Sequence, residues 1–157
     1  GAEAIYHADS RSLEVTANGA LQGITWDMHD IGELTPTVVA LAALAETPSH
    51  LYGIAHLRGH ETDRLAALTA EAARLGITVD EEETSLGFPG TDASGPLSPA
   101  ALETYHDHRM ATFAAVVGLR VPGTGIVDVA TTAKTMPDFP ALWTALVAPG
   151  DAAEEAR

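Results

Sequence analysis

An internal repeat constrains this chain more than any other feature. His29-Asp30, an apolar helical stretch, a Gly53-Ile54 strand, Asp63 and a helix come first. They are echoed by His106-Asp107, a helix, a Gly125-Ile126 strand, Asp138 and a final helix. The offset between the copies stays at about 75 residues, a drift that short loop changes explain. Two units in the order strand, helix, strand, helix imply an α/β (α+β) fold, with a sheet layered against helices. The residues able to carry chemistry fall at matching points of the two units, so the repeat marks a site as well as a fold.

Around the repeat the punctuation is clear. Residues 1–6 read as a strand already in progress, residues 12–16 as a second and residues 21–26 as a third, with Asn18-Gly19 as a turn between strands. A chain that opens mid-strand is expected to be a fragment. Pro36 suits the first turn of a helix over 38–45. A strand is expected over 51–55. Leu65, Leu68, Ala72 and Leu75 then repeat at helical spacing until Gly76 caps the run. Short strands are expected at 77–79, 83–88 and 125–129, a loop over 89–99, and helices from Asp107 to about Gly118 and over 138–147 with Pro137 in its first turn.

Composition narrows the function classes. The net charge is −14, which opposes nucleic-acid binding because that needs a basic surface to displace counterions. A local arginine cluster can still hold a small anion, since fields act strongly within a Debye length of about 8 Å. The acidic runs at 80–83 and 151–155 read as solvated charge. Cysteine is absent, which removes disulfides and thiolate metal sites. Neither a secretory signal nor an apolar run of the roughly 20 residues needed to cross a bilayer is visible. No membrane partner is therefore expected.

Lys134 is the only lysine in the chain. Together with Arg64 and Arg109 it stands near an expected helix start or strand exit, where free N–H groups favour anions. Arginine adds a planar fork that fits phosphate or carboxylate. Each arginine taken alone has a plainer reading as a surface ion pair. A cation at a helix N-terminus is unfavourable unless an anion lies between them, so three together point to a shared anion. Glu33 and Glu61 are the carboxylates near these groups and, held ionised, could move protons. Glu61 also reads as a first-turn acid that complements a helix dipole, and Glu33 similarly as a residue just before a helix. His56 and His60 are four apart and His106-Asp107-His108 brackets a carboxylate, but H-E-x-x-H is absent and the neighbouring arginines repel a cation. No metal site is therefore expected. Phosphate-loop, nucleophile-elbow and dinucleotide fingerprints are all missing, so no cofactor is expected.

Four segments resemble the C-terminal part of the 3-phosphoshikimate 1-carboxyvinyltransferase (EPSP synthase) family. They are Asp27-Met28-His29-Asp30-Ile31 with Glu33, then Leu57-Arg58-Gly59-His60-Glu61-Thr62-Asp63-Arg64-Leu65. The others are Tyr105-His106-Asp107-His108-Arg109-Met110-Ala111 and Ala133-Lys134-Thr135-Met136-Pro137-Asp138-Phe139. They occur in the right order over nearly the whole chain, and Gly-His-Glu-Thr-Asp-Arg looks most like actinobacterial members.

The resemblance implies transfer of the enolpyruvyl group of phosphoenolpyruvate to the 5-hydroxyl of shikimate 3-phosphate, releasing phosphate, in the shikimate pathway towards chorismate and the aromatic amino acids. It implies repeated βαβαββ units in an inside-out αβ barrel, of which this chain would hold units at about 20–90 and 100–150 of one incomplete domain. Arg64, Arg109 and Lys134 would bind phosphoenolpyruvate, where glyphosate also binds. Glu33, His60 and His56 would contact shikimate 3-phosphate, Glu33, Glu61 and Lys134 would serve the chemistry, and His108 would line the site. A cytoplasmic location follows from the same resemblance. So does a missing N-terminal domain, without which the chain is expected to be inactive.

The sequence departs from the family pattern at several points. Glu33 replaces the commoner aspartate, His60 a lysine, His56 an asparagine and Met136 a phenylalanine. A UDP-N-acetylglucosamine enolpyruvyl transferase-like protein and a non-catalytic anion-binding half-domain are the alternatives.

Overall fold

The computed structural model describes residues 1–148. Two parallel strand pairs, each wrapped by a helical crossover, organise it. In the first unit β3 (Thr25–Asp27) runs parallel to β4 (Ser49–Tyr52), and the helix α1 (Thr35–Leu44) lies between them in sequence. In the second unit β7 (Ala101–Leu102) runs parallel to β8 (Gly125–Ile126) across α4 (His108–Gly118). A parallel pair demands such a crossover, but the Gly53-Ile54 strand expected in the first copy is corrected: β4 ends at Tyr52, and Gly53 turns away at φ +78°.

The first unit continues through α2 (Arg64–Arg74) to β5 (Asp80–Glu81) and β6 (Ser85–Phe88), giving a four-stranded sheet of order β3-β4-β6-β5. A single helical turn, α3 (Thr91–Ser94), leads into the second unit, and α5 (Phe139–Val147) closes it. Preceding all of this, β1 (Ala2–His7) and β2 (Ser12–Ala17) form an antiparallel hairpin whose residues are all exposed.

The core lies between the units. α1 packs against α4; one contributes Val39, Ala40, Ala42 and Ala43, the other Met110, Phe113, Ala114 and Val117. Helix α1 is apolar around most of its circumference, as a helix buried on several sides must be. Helix α2 is amphipathic and sends Leu65, Leu68, Ala72 and Leu75 inward, the spacing expected of it. Leu51 and Leu86 sit opposite each other across β4 and β6, both without exposed surface.

Several expectations are corrected. The strand expected over 21–26 is confined to β3, and Asn18-Gly19 lies in the passage from β2 to β3, which do not pair. The hairpin turn is instead at residues 8–11, where Arg11 adopts φ +53°. Residues 77–79 are not a strand, and β6 begins only at Ser85. The strand expected over 51–55 is β4, two residues earlier. That expected over 125–129 stops after two residues because Asp128 turns left-handed, at φ +55°, and starts a 3-10 helix. Pro140, rather than Pro137, occupies the first turn of α5. The acidic run at 80–83 is not free charge: Glu81 pairs with Arg58, Glu82 accepts from the Ser85 hydroxyl, and the carbonyls of Glu82 and Glu83 accept from Arg58. The second acidic run, 151–155, lies outside the described residues.

Candidate active site

The site residues all follow the C-terminal ends of the parallel strands. After β3 a 3-10 helix, His29–Leu34, carries Glu33. After β4 a second, Ala55–Gly59, presents His56 and leads to His60, Glu61 and α2. The turn after β7 delivers Asp107 to α4, and the 3-10 helix Val129–Lys134 after β8 ends on Lys134. In open α/β sheets ligands bind outside these strand ends. The repeat thus places four segments, far apart in sequence, around one point.

Arg64 is the centre. It is the first residue of α2, its side chain is 1% exposed, and three carboxylates surround its guanidinium. Nε donates to Asp107 Oδ2 at 2.6 Å, Nη1 to Glu33 Oε2 at 3.2 Å and Nη2 to Glu61 Oε2 at 3.1 Å. Burial opposes its charge, but ion pairing with Asp107 and Glu33 outweighs burial and raises its pKa above the ordinary value. Arg64 is therefore a permanent, immobile cation. Lys134 Nζ donates to the second oxygen of Glu61 at 2.7 Å. Arg109 Nη1 donates to the Glu33 carbonyl at 2.9 Å, while its Nε sits against Glu33 Oε2 without an aligned hydrogen bond.

Arg64, Arg109 and Lys134 thus converge, bridged by Glu33 and Glu61. The structure also corrects the reason. Arg64 and Arg109 do lie in the first turns of their helices, but Asp63 and Asp107 cap those turns, accepting from Ala66 N at 3.1 Å and from Arg109 N at 2.9 Å. The anion that offsets cation and dipole is the capping aspartate. Lys134 stands in the last turn of its 3-10 helix, where a cation is favourable in any case.

Glu61 is held well below the ordinary carboxylate range, at about 2, first by the Lys134 hydrogen bond and also by the field of Arg64. It is an acceptor in this state. His60 Nδ1 lies 3.2 Å from both Glu33 Oε1 and Arg64 Nη1, in the same cluster. His56 stands one step out, its ring centroid 6.1 Å from that of His60 and 5.8 Å from that of His29. It packs so closely over Gly32 that a Cβ there would meet its Nε2 at 2.2 Å. His108 Nδ1 is buried 3.8 Å from Asp107 Oδ1 with no hydrogen-bond partner, so it borders the cluster through Asp107. His106 points elsewhere, 93% exposed beside Asp128. Among the described residues no three His, Cys, Asp or Glu side chains converge as a metal site, and no helix is long and apolar enough to cross a membrane.

Two residues of this assembly escaped the sequence reading. Asp107 was visible only as part of a motif, yet it is the closest partner of Arg64. Arg58, between His56 and His60, clamps Asp63 through Nη1 at 3.1 and 2.9 Å and so fixes the start of α2. An aspartate one residue before a helical run is a capping signal, and it was the available clue to both.

The fold and site define a mixed α/β protein of repeated strand–helix units, with Arg64, Arg109 and Lys134 clustered at the strand ends. The family described as "EPSP synthase (3-phosphoshikimate 1-carboxyvinyltransferase)" matches residues 2–143, and the chain belongs to that family. The 3-phosphoshikimate 1-carboxyvinyltransferase of Kocuria rhizophila, an actinobacterium, is 53% identical over 133 residues, covering 85% of this chain and 29% of the relative. Two structures of EPSP synthase from Acinetobacter baumannii superpose with TM-scores of 0.70 and 0.59 at 29% and 28% identity. They cover 78% and 69% of this chain and 29% and 25% of theirs. The chain thus spans under a third of the length of these relatives.

Proposed function

We propose that this chain carries one wall of the active site of an enolpyruvyl transferase, the part that grips phosphoenolpyruvate. In that reaction the enolpyruvyl group passes to the 5-hydroxyl of shikimate 3-phosphate and phosphate leaves. The observation that carries the reading is the meeting of Arg64, Arg109 and Lys134, from three separate elements, on Glu33 and Glu61. Phosphoenolpyruvate brings a phosphate and a carboxylate, and three cations match both.

The cluster divides by mobility. Arg64 cannot move and serves as the floor. Lys134 and Arg109 are 59% and 32% exposed, so both can turn from glutamate to an incoming anion. When Lys134 leaves Glu61, the hydrogen bond that most depresses the Glu61 pKa is lost, and Glu61 becomes able to carry a proton. Glu33, beside His60, is placed to accept the proton of a substrate hydroxyl. His60 and His56 face the shikimate 3-phosphate side. His108 lines the site through Asp107.

In this reading the chain is the C-terminal part of one domain, with units at about 20–90 and 100–150 of an inside-out barrel. The remaining contacts come from an N-terminal domain beyond it. The isolated chain should then bind without turning over. Calorimetry with phosphoenolpyruvate, shikimate 3-phosphate, glyphosate and a UDP-sugar tests this. Binding of the first three but not the last is expected, and preference for the UDP-sugar would sink it. Product formed by this chain alone from both substrates would refute the inactivity.

A further inference from the structure

Glu71 is a carboxylate with no exposed surface, two turns along α2 from Arg64. A buried carboxylate is costly unless its oxygens are satisfied, and an apolar side chain would suit the core better. Its partners explain it. Oε1 accepts from the Tyr105 hydroxyl at 2.6 Å, and Oε2 accepts from the backbone N–H of Glu103 at 2.9 Å. Arg74 Nε adds an ion pair at 3.3 Å. The Tyr105 hydroxyl is pushed up to about 12, by burial and then by Glu71, so it remains a donor at neutral pH.

These bonds reach across the molecule to the turn that precedes α4. Tyr105 and His106 are consecutive residues in the left-handed region, at φ +54° and +58°, which side chains other than glycine adopt at a cost. Helix α2 grips this turn on both sides of the strained pair. Glu71 holds it at Glu103 and Tyr105, and Arg64 holds it at Asp107. Within the turn, Asp107 N donates to the Thr104 carbonyl at 2.8 Å.

We propose that Glu71 is a positioning residue for the anion site, keeping the Tyr105-His106 pair left-handed so that Asp107 meets Arg64 and α4 starts where Arg109 can reach Glu33. The proposal rests on the reading of Arg64 and Arg109 as substrate cations. It places the control of their geometry in residues that touch no substrate.

Tyr105→Phe is the decisive variant, because it removes one hydroxyl and leaves the ion pair and the Glu103 bond of Glu71. The readout is the Arg64 Nε–H resonance in proton–nitrogen spectra of the whole chain, with Leu86→Ala in β6 as a control for plain loss of core stability. Tyr105→Phe should shift that resonance and speed its exchange with water by about tenfold, the worth of one lost bond to a charged group. Leu86→Ala should leave it in place, and Glu71→Gln, which keeps one acceptor oxygen, should fall between. A resonance unmoved by Tyr105→Phe, or moved equally by Leu86→Ala, overturns the proposal. Failure of the unaltered chain to bind phosphoenolpyruvate would sink the functional reading alone, and the Arg64 comparison would still decide this one.

Discussion

Three carboxylates around one buried guanidinium make Arg64 the residue on which the site depends. Removing one partner of a buried pair leaves an uncompensated charge, which costs far more than the pair contributes when intact. Asp107→Asn should therefore lower the urea-unfolding free energy by about 3 kcal/mol, with Glu33 and Glu61 limiting the loss. Glu61 gives a pH prediction. Its folded pKa of about 2 lies below the ordinary 4.5, so the stability it contributes is present above that ordinary value and is lost as pH falls towards 2. Between pH 5 and 2 the chain should lose more stability than its Glu61→Gln variant, and equal acid slopes would show that Lys134 and Glu61 are not paired in solution. The cations, and the carboxylates beside them, were legible from residue type and motif. The place of Asp107 was not. A capping aspartate reads the same on a surface as in a core, and only its contact with Arg64, 43 residues away, makes the difference.

At the level of elements, helices were read better than strands for a physical reason. Helix α2 repeats its apolar residues over three turns, whereas β5, β7 and β8 have two residues each, too few for any alternation to show. The 3-10 helices that follow the strands were also invisible, since short, tight turns carry little periodic signal. They nevertheless aim Glu33, His56 and Lys134. Gly32 joins two of them, because the His56 ring lies where its Cβ would be. Gly32→Ala should push that ring out, moving the His56 signals in a proton–carbon spectrum and weakening binding of shikimate 3-phosphate. His56 signals that stay in place would mean the two 3-10 helices are not so closely packed.

Taken whole, the molecule is a pair of related units, each with a parallel strand pair and a crossover helix, whose strand ends share one cluster of charge. The succession of strand and helix was legible from short motifs and turn residues, although the copies do not match point for point: His29 opens a 3-10 helix, whereas His106 lies in a left-handed turn. The joining of the units through α1 and α4 was not legible, since it depends on side chains meeting across two units. Formal charges in the cluster balance, three cations against Glu33, Glu61 and Asp107, within a chain of net charge −14. In the proposed reading, anion binding comes from local geometry, with Lys134 and Arg109 turning away from glutamate. A phosphorus-31 NMR titration of phosphoenolpyruvate against the chain and its Lys134→Met variant tests this most directly. The phosphate resonance should shift on saturable binding to the chain, and about tenfold more protein should be needed for the variant, the loss of one charge-assisted contact. Equal titration curves for the two proteins would contradict the account.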